Sequence, residues 1–230
     1  MQPYTSISNS QVAVKLAIFD VDKTFVRGDS FKWFCWFAIR ANGICCRKLG
    51  RFVLDTLMEP AGIFDAGRIK NLCLQLCLVT NDRSALTSLV RKFVDGVLLK
   101  RVHSVALDRL RWHKQQKHRI MFLSASPDLY LNVLGARLGV DGVLCTKVLT
   151  QDGRFTGELF SANCKGDEKR RRLMEECPGS DIAWDQSYGY GNSSDDVPFL
   201  GLFGNAVAVN PDAKLRKIAV QRSWAIEAWS

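Results

Sequence analysis

Asp20 and Asp22 stand two apart at the end of an apolar run, within 16-LAIFDVDKTFVRGDS-30. Carboxylates so close repel each other when both are ionised, so the pair demands a compensating cation, either a basic side chain from elsewhere or a metal. Such a pair suits proton transfer and the holding of a hard cation through oxygen; a solvated turn after a strand is the plain alternative. Polar groups recur at three more places. Ser124 ends the run RIMFLS, Gly191-Asn192-Ser193 closes QSYGY with Asp196 just behind, and 164-CKGDEKRRR-172 offers lysines.

The elements that must position these groups alternate. Val12 to Phe19, apolar apart from Lys15, reads as a central strand covered on both faces. RIMFLS is a strand ending at Ser124, and Ser126-Pro127-Asp128 reads as a helix start with Ser126 as cap. DGVLCT, a hairpin TKVLTQDGRFTGELF turning at Asp152-Gly153, a stretch near 186–190 and NAVAVN supply further strands. Helices are expected near 166–176, near 196–201 and in PDAKLRKIAV. This pattern predicts an α/β fold with a Rossmann-like, doubly wound parallel sheet. In such sheets ligands bind beyond the carboxyl ends of the strands, where Asp20, Asp22, Ser124 and Asn192 all fall. From Ser30 to Trp112 the pattern is helical, with breakers at Asn42-Gly43, Pro60 to Gly62 and Asn81-Asp82. The expected organisation is a core of 11–29 and 113–230 with a helical cap, 30–112, inserted after the first strand.

The chain has 230 residues and a net charge of +9. That length buries a sizeable core, and the charge favours anionic partners. Eight cysteines form no CxxC pair and have no histidine at zinc spacing, which excludes a zinc finger and a dithiol motif. Reduced, packing cysteines and a cytoplasmic location are expected. No apolar run approaches the roughly 18 residues of a membrane span, and the first residues lack a signal-peptide core. His103, His113 and His118 show no ligand spacing and are assigned no role.

DVDKT resembles the first motif of the haloacid dehalogenase superfamily of phosphohydrolases, FLSASP its second, NCKGDEK its third and YGNSSDDVPFL its fourth, in that order between Leu16 and Leu200. The chain looks most like the phosphoserine-phosphatase-like branch, subfamily IB, whose cap lies between the first and second motifs; its fourth-motif segment also looks close to phosphatidylglycerophosphate phosphatases. The resemblance implies that Asp20 is a nucleophile toward phosphorus and that Asp22 protonates the leaving oxygen and later activates water. It implies that Ser124 and backbone N–H groups from Ala125 onward bind the phosphoryl oxygens, with Thr24 aiding phosphate binding or the loop. It also implies magnesium, held by the Asp20 side chain, the Asp22 carbonyl and the fourth motif, Asn192 and Asp196. For the third-motif lysine both Lys165 and Lys169 match relatives; Lys169 fits better, because Cys164 and Gly166 share its pattern. Asn192 departs from the usual aspartate, and a neutral amide oxygen weakens a magnesium site.

Asp29 stands where phosphoserine phosphatases carry a glutamate that contacts the substrate amine, and helix capping with Ser30 explains it equally. The cap arginine those enzymes use has no counterpart in 71-NLCLQLCLV-79. Between Phe31 and Leu54 basic and aromatic residues alternate with no acid, which fits either the buried face of a cap helix or peripheral contact with an anionic membrane. Arg170, Arg171 and Arg172 read as a solvated helix face. The implied function is magnesium-dependent hydrolysis of a phosphorylated small molecule or phospholipid headgroup through an aspartyl-phosphate. Its rivals are phosphoryl transfer to another acceptor and a catalytically silent protein binding anionic lipid or RNA. No aromatic RNA-recognition motif supports nucleic acid as a partner.

Overall fold

The computed structural model describes residues 13–42, 66–77, 83–151, 154–178 and 181–230. Strand β1, Leu16–Phe19, is buried at all four positions. Side chains alternate across a strand, so Ala17 and Phe19 enter one apolar cluster with Phe122, Tyr130 and Tyr190. Leu16 and Ile18 enter another with Leu173, Phe199 and Leu215. A strand apolar on both faces must lie inside a sheet covered on both sides. β1 pairs in parallel with β2 (Arg119–Pro127) on one edge and β6 (Tyr188–Gly191) on the other. β3 (Gly142–Thr146) flanks β2, while β7 (Asn205–Val209) and β8 (Ala225–Glu227) extend beyond β6. The order is β3-β2-β1-β6-β7-β8 with every pairing parallel. The chain works outward from β1 one way, then from β6 the other, so the carboxyl ends of β1 and β6 flank the switch point.

Among the described residues, the helices α1 (Ser30–Asn42), α2 (Ala66–Cys77) and α3 (Arg83–Phe93) lie between β1 and β2 in the chain. Another, α4 (Ser104–Gln115), packs on β2 through buried Ala106, Leu110 and His113, although it begins within the span expected as a cap. α5 (Asp128–Leu138) joins it on the Phe19 face. α6 (Asp167–Glu176), α7 (Val197–Leu200) and α8 (Ala213–Gln221) cover the Leu16 face. The result is the expected doubly wound α/β architecture. The hairpin of β4 (Val148–Gln151) and β5 (Arg154–Leu159) stands outside the main sheet and supports α2. Its expected turn, 152–153, lies outside the described residues, as do the breakers at 43, 60–62 and 81–82.

The aromatic stripe of α1 is chiefly a packing face. Phe34 and Ala38 are fully buried, and Phe31, Trp33 and Phe37 rest on the same cluster. Trp36 is 61% exposed, with the Arg40 guanidinium 5.3 Å from its ring centre. Among the described residues no helix is long and apolar enough to cross a membrane.

Several sequence expectations are corrected. β1 begins at Leu16, and Val14 makes only an isolated bridge to Ile182. β2 runs past Ser124 to Pro127 with a register shift against β3, so Ser126 is in the strand and does not cap α5; Pro127 holds the cap position, with no side-chain bond. α8 is capped by Asp212, which accepts the Leu215 N–H at 2.6 Å. β8 was not expected. Arg172 is not solvated: its guanidinium donates to Ala162 O at 2.6 Å and to a Glu168 oxygen at 2.7 Å.

Candidate active site

The strand-end residues come together. Asp20 follows β1 directly, and its N–H continues the sheet by donating to Tyr190 O at 2.9 Å. The chain then turns tightly, with the N–H groups of Phe25 and Val26 both on the Val21 carbonyl. Lys23 adopts a left-handed φ of 62° within this turn. That geometry brings the Thr24 hydroxyl back to Asp20 Oδ2, to which it donates at 2.7 Å.

Lys169, on the first turn of α6, lies 4% exposed with Nζ 2.5 Å from Asp20 Oδ1 and 2.7 Å from Asp196 Oδ1. Asp196 reaches this position because Gly191 leaves room: a Cβ there would sit 2.7 Å from Asp196 Cβ. Asp196 Oδ2 accepts the N–H groups of Asn192 and Ser193, both at 3.0 Å, and the Ser193 hydroxyl at 3.2 Å. One ammonium between two carboxylates leaves a net negative charge in a dry setting. Burial pushes the Asp20 pKa up to about 7, against the pull of Lys169 and with the repulsion of Asp196 adding to it. Burial also opposes the charge of Lys169, but Asp196 and Asp20 outweigh it and hold its pKa above the ordinary lysine value.

Asp22 lines the same cavity and bonds a different set of groups. Its Oδ1 accepts the Ser30 N–H and its Oδ2 the Ser126 hydroxyl, each at 2.6 Å. Ser30 Oγ lies 3.1 Å from Ser126 Oγ and 3.0 Å from Tyr130 OH, so a buried chain of hydroxyls backs this carboxylate. Ser124, 1% exposed, accepts the Ser126 N–H at 3.1 Å and is not among the side chains lining the cavity. Asp29 caps α1, accepting the Lys32 N–H at 3.0 Å, and also lines the cavity mouth. Lys165 is exposed and pairs with Asp195 at 3.0 Å. Of the two candidate lysines, only Lys169 touches Asp20.

These groups border a cavity of about 310 Å³ whose walls include Asp20, Asp22, Lys70, Ala125, Asn163, Lys169 and Asn192. A larger shallow groove of about 980 Å³ follows the outer face of α3 past Arg83, Arg91 and Asp95; it shares no residue with this site. Lys70 and Asn163 were not foreseen. Lys70 Nζ, on α2, donates to Ala125 O at 2.5 Å and to Asn163 Oδ1 at 2.7 Å. Its burial lowers its pKa, while Asp22 and Asp29 pull the other way. The one sequence cue was position: Lys70 is the last charge before an uncharged stretch that ends at Asp82. Ser-Pro-Asp is a strong local signal for a helix cap, but the partner of the Ser126 hydroxyl is the remote Asp22.

All donors available to a cation are oxygens, as magnesium prefers. The Asp20 carboxylate, the Asp22 carbonyl and the Asn192 amide oxygen would hold it, and the uncompensated charge of the Asp20–Lys169–Asp196 group favours it. Asp196, expected as a ligand, accepts Lys169 on Oδ1 and the 192–193 N–H groups on Oδ2, as Asp20 accepts Lys169 on Oδ1 and Thr24 on Oδ2. Among the described residues no group of three or more acidic, histidine or cysteine side chains could hold an ion. The reason is chemical: the Asp22 carboxylate is turned to Ser30 and Ser126, and Asn192 replaces an acid. The set fits a magnesium ion held with little charge.

The chain is similar to known proteins over most of its length. A probable phosphatase of Mycobacterium tuberculosis is 26% identical over 99% of this chain and 80% of its own length. The phosphoserine phosphatase SerB1 of the same species is 28% identical over 91% of this chain and 69% of its own. The crystal structure of a protein of unknown function from Bordetella pertussis superimposes with a TM-score of 0.79 at 26% identity, covering 93% of this chain and 98% of that one. Residues 17–201 match the family described as haloacid dehalogenase-like hydrolase, a span that opens inside β1 and closes just beyond α7, and the chain belongs to that family.

Proposed function

We propose that the chain hydrolyses phosphomonoesters of small molecules, with Asp20 as nucleophile and magnesium as cofactor. The observation that carries this is Lys169, buried between Asp20 and Asp196 at 2.5 and 2.7 Å. A fixed ammonium in a water-poor site stabilises charge on a transferring phosphoryl group without reorganisation. Relatives named as phosphatases support the same activity.

A carboxylate oxygen of Asp20 attacks phosphorus; the P–O ester bond breaks, and the leaving oxygen takes a proton from Asp22. Water then attacks the phosphorus of the acyl phosphate and gives a proton to Asp22. Phosphate departs and both acids return to their starting states. Lys169 balances charge on Asp20 and the phosphoryl oxygens, and Thr24 keeps the attacking carboxylate oriented. Ser124, whose Oγ accepts the Ser126 N–H, holds the end of β2 beside the cavity. Bound magnesium supplies further neutralisation of phosphoryl charge. The helices α1 to α3 act as a cap that shields the acyl phosphate from premature water.

Phosphate release from p-nitrophenyl phosphate and from a panel of phosphorylated metabolites tests the assignment. Wild type hydrolyses at least one of them with magnesium and not with EDTA, and Asp20→Asn loses about a thousandfold or more. Folded wild type without activity on any substrate, or an active Asp20→Asn, overturns it.

A further inference from the structure

Lys70 is the side chain that α2 contributes to the cavity, and the catalytic steps above make no use of it. Its ammonium has three N–H donors. Two go to Ala125 O at 2.5 Å and Asn163 Oδ1 at 2.7 Å, both neutral acceptors. Among the described residues it makes no ion pair. A half-buried ammonium held by neutral oxygens is costly to maintain, so its target calls for a reason.

The target is one peptide unit. The carbonyl of the Ala125–Ser126 peptide accepts from Lys70 and, at 2.8 Å, from the Thr146 hydroxyl. The N–H of the same peptide donates to Ser124 Oγ at 3.1 Å. The next side chain, Ser126, donates to Asp22 Oδ2 at 2.6 Å. Asn163 ties the same ammonium to the segment entering α6, and Thr146 also reaches Asn163 Oδ1 at 3.3 Å. This peptide lies at the register shift of β2 against β3, where regular ladder bonds no longer fix it.

We propose that Lys70 is a positioning residue that fixes the Ala125–Ser126 peptide from α2, and thereby aims the Ser126 hydroxyl at Asp22. The general acid is then aligned only when α2 lies against the core, which couples closure of the cavity to protonation of the leaving group. The role rests on the phosphatase reading for its kinetic consequence but not for its geometry.

Two measurements test it, on variants shown by urea denaturation to be folded. The first is the crystal structure of Lys70→Met. Rotation of the Ala125–Ser126 peptide, with Ser126 Oγ leaving Asp22, is expected; an unchanged Ser126–Asp22 contact overturns the proposal whether or not the chain is a phosphatase. The second is leaving-group dependence. A misaligned general acid matters most for poor leaving groups, so Lys70→Met lowers kcat on alkyl phosphates about thirtyfold or more and on p-nitrophenyl phosphate about threefold or less, with KM little changed. Lys70→Arg, which keeps the donors, restores part of the alkyl phosphate rate. Equal loss on all substrates marks a purely structural lysine, and loss that follows the charge of the leaving group, not its basicity, marks a substrate-binding one; either result overturns the proposal. Wild type inactive on every substrate sinks the phosphatase reading alone, and the crystal structure then decides the role of Lys70.

Discussion

Ser126 Oγ donates to Asp22 Oδ2 at 2.6 Å, across 104 positions of sequence. The contact joins the end of β2 to the turn after β1 and leaves the Asp22 carboxylate with a donor on each oxygen. Ser126→Ala removes one donor from the half-buried Asp22 carboxylate, at a cost of about 1 kcal/mol. Urea denaturation reads that loss, and the alkyl phosphate kcat falls about tenfold or more while Ser126→Thr, which keeps the hydroxyl, retains most of it.

Lys169 neutralises two carboxylates that have almost no access to water. Lys169→Met leaves Asp20 and Asp196 facing each other without a cation. The expected destabilisation is about 3–5 kcal/mol, because an uncompensated buried charge costs more than the pair ever contributed. Adding Asp196→Asn to that variant removes one of the charges and recovers part of the stability, with no return of activity. Denaturation midpoints of the single and double variants check the order.

Asn192 sits at the cavity with Oδ1 3.4 Å from the Thr24 hydroxyl that bonds Asp20. Asn192→Asp adds a carboxylate beside a group that already carries net negative charge. In EDTA the variant melts below wild type, and with magnesium the difference closes or reverses. Half-maximal activity comes at about tenfold lower magnesium, since ligand charge raises cation affinity. Melting curves with and without the ion read the effect independently of turnover.

His113 is buried, with Nδ1 2.8 Å from His118 Nδ1 and Nε2 2.9 Å from Tyr190 OH. Burial, followed by the charges of His118 and Arg109, pushes its pKa down to about 3. The native state therefore holds it neutral, whereas the unfolded chain binds a proton near the ordinary histidine value. A depressed pKa means stability that is complete above about pH 6.5 and is lost as pH falls toward 3, at up to about 1.4 kcal/mol per pH unit. Urea denaturation of wild type and His113→Asn at pH 7, 6 and 5 isolates this slope as the difference between them, because Asp20, pushed up to about 7, contributes with the opposite sign over the same range. His113→Asn removes its share of the slope, while His103 and His118, whose pKa values burial also lowers, and Asp20 contribute equally to both proteins.

Much of the site was legible because its positions are local to element ends. A buried strand that runs into Asp20 must deliver that acid to the sheet's rim, and the same holds for Ser124 in β2 and Asn192 after β6. Asp29 was legible as a cap for the same reason, since its partner, the Lys32 N–H, is three residues away. Ser126 misled because Ser-Pro-Asp is a sound helix-start signal, and here the strand continues through a bulge instead. Lys70 had its position as a cue but not its partners: its acceptors lie 55 and 93 positions away, and nothing in the periodicity of α2 points to them.

By itself, the sequence determined the alternation of strands and helices, the parallel sheet and the set of polar residues at its carboxyl edge, because hydrophobic periodicity and turn chemistry act within a few residues. Only the tertiary structure decided that Lys169 and not Lys165 enters the buried carboxylate pair, that Ser126 serves Asp22, and that α2 reaches the Ala125 carbonyl. Those outcomes depend on which faces of separate elements pack together, and at that range the partner of a buried donor is fixed by packing and desolvation, which no local spacing encodes.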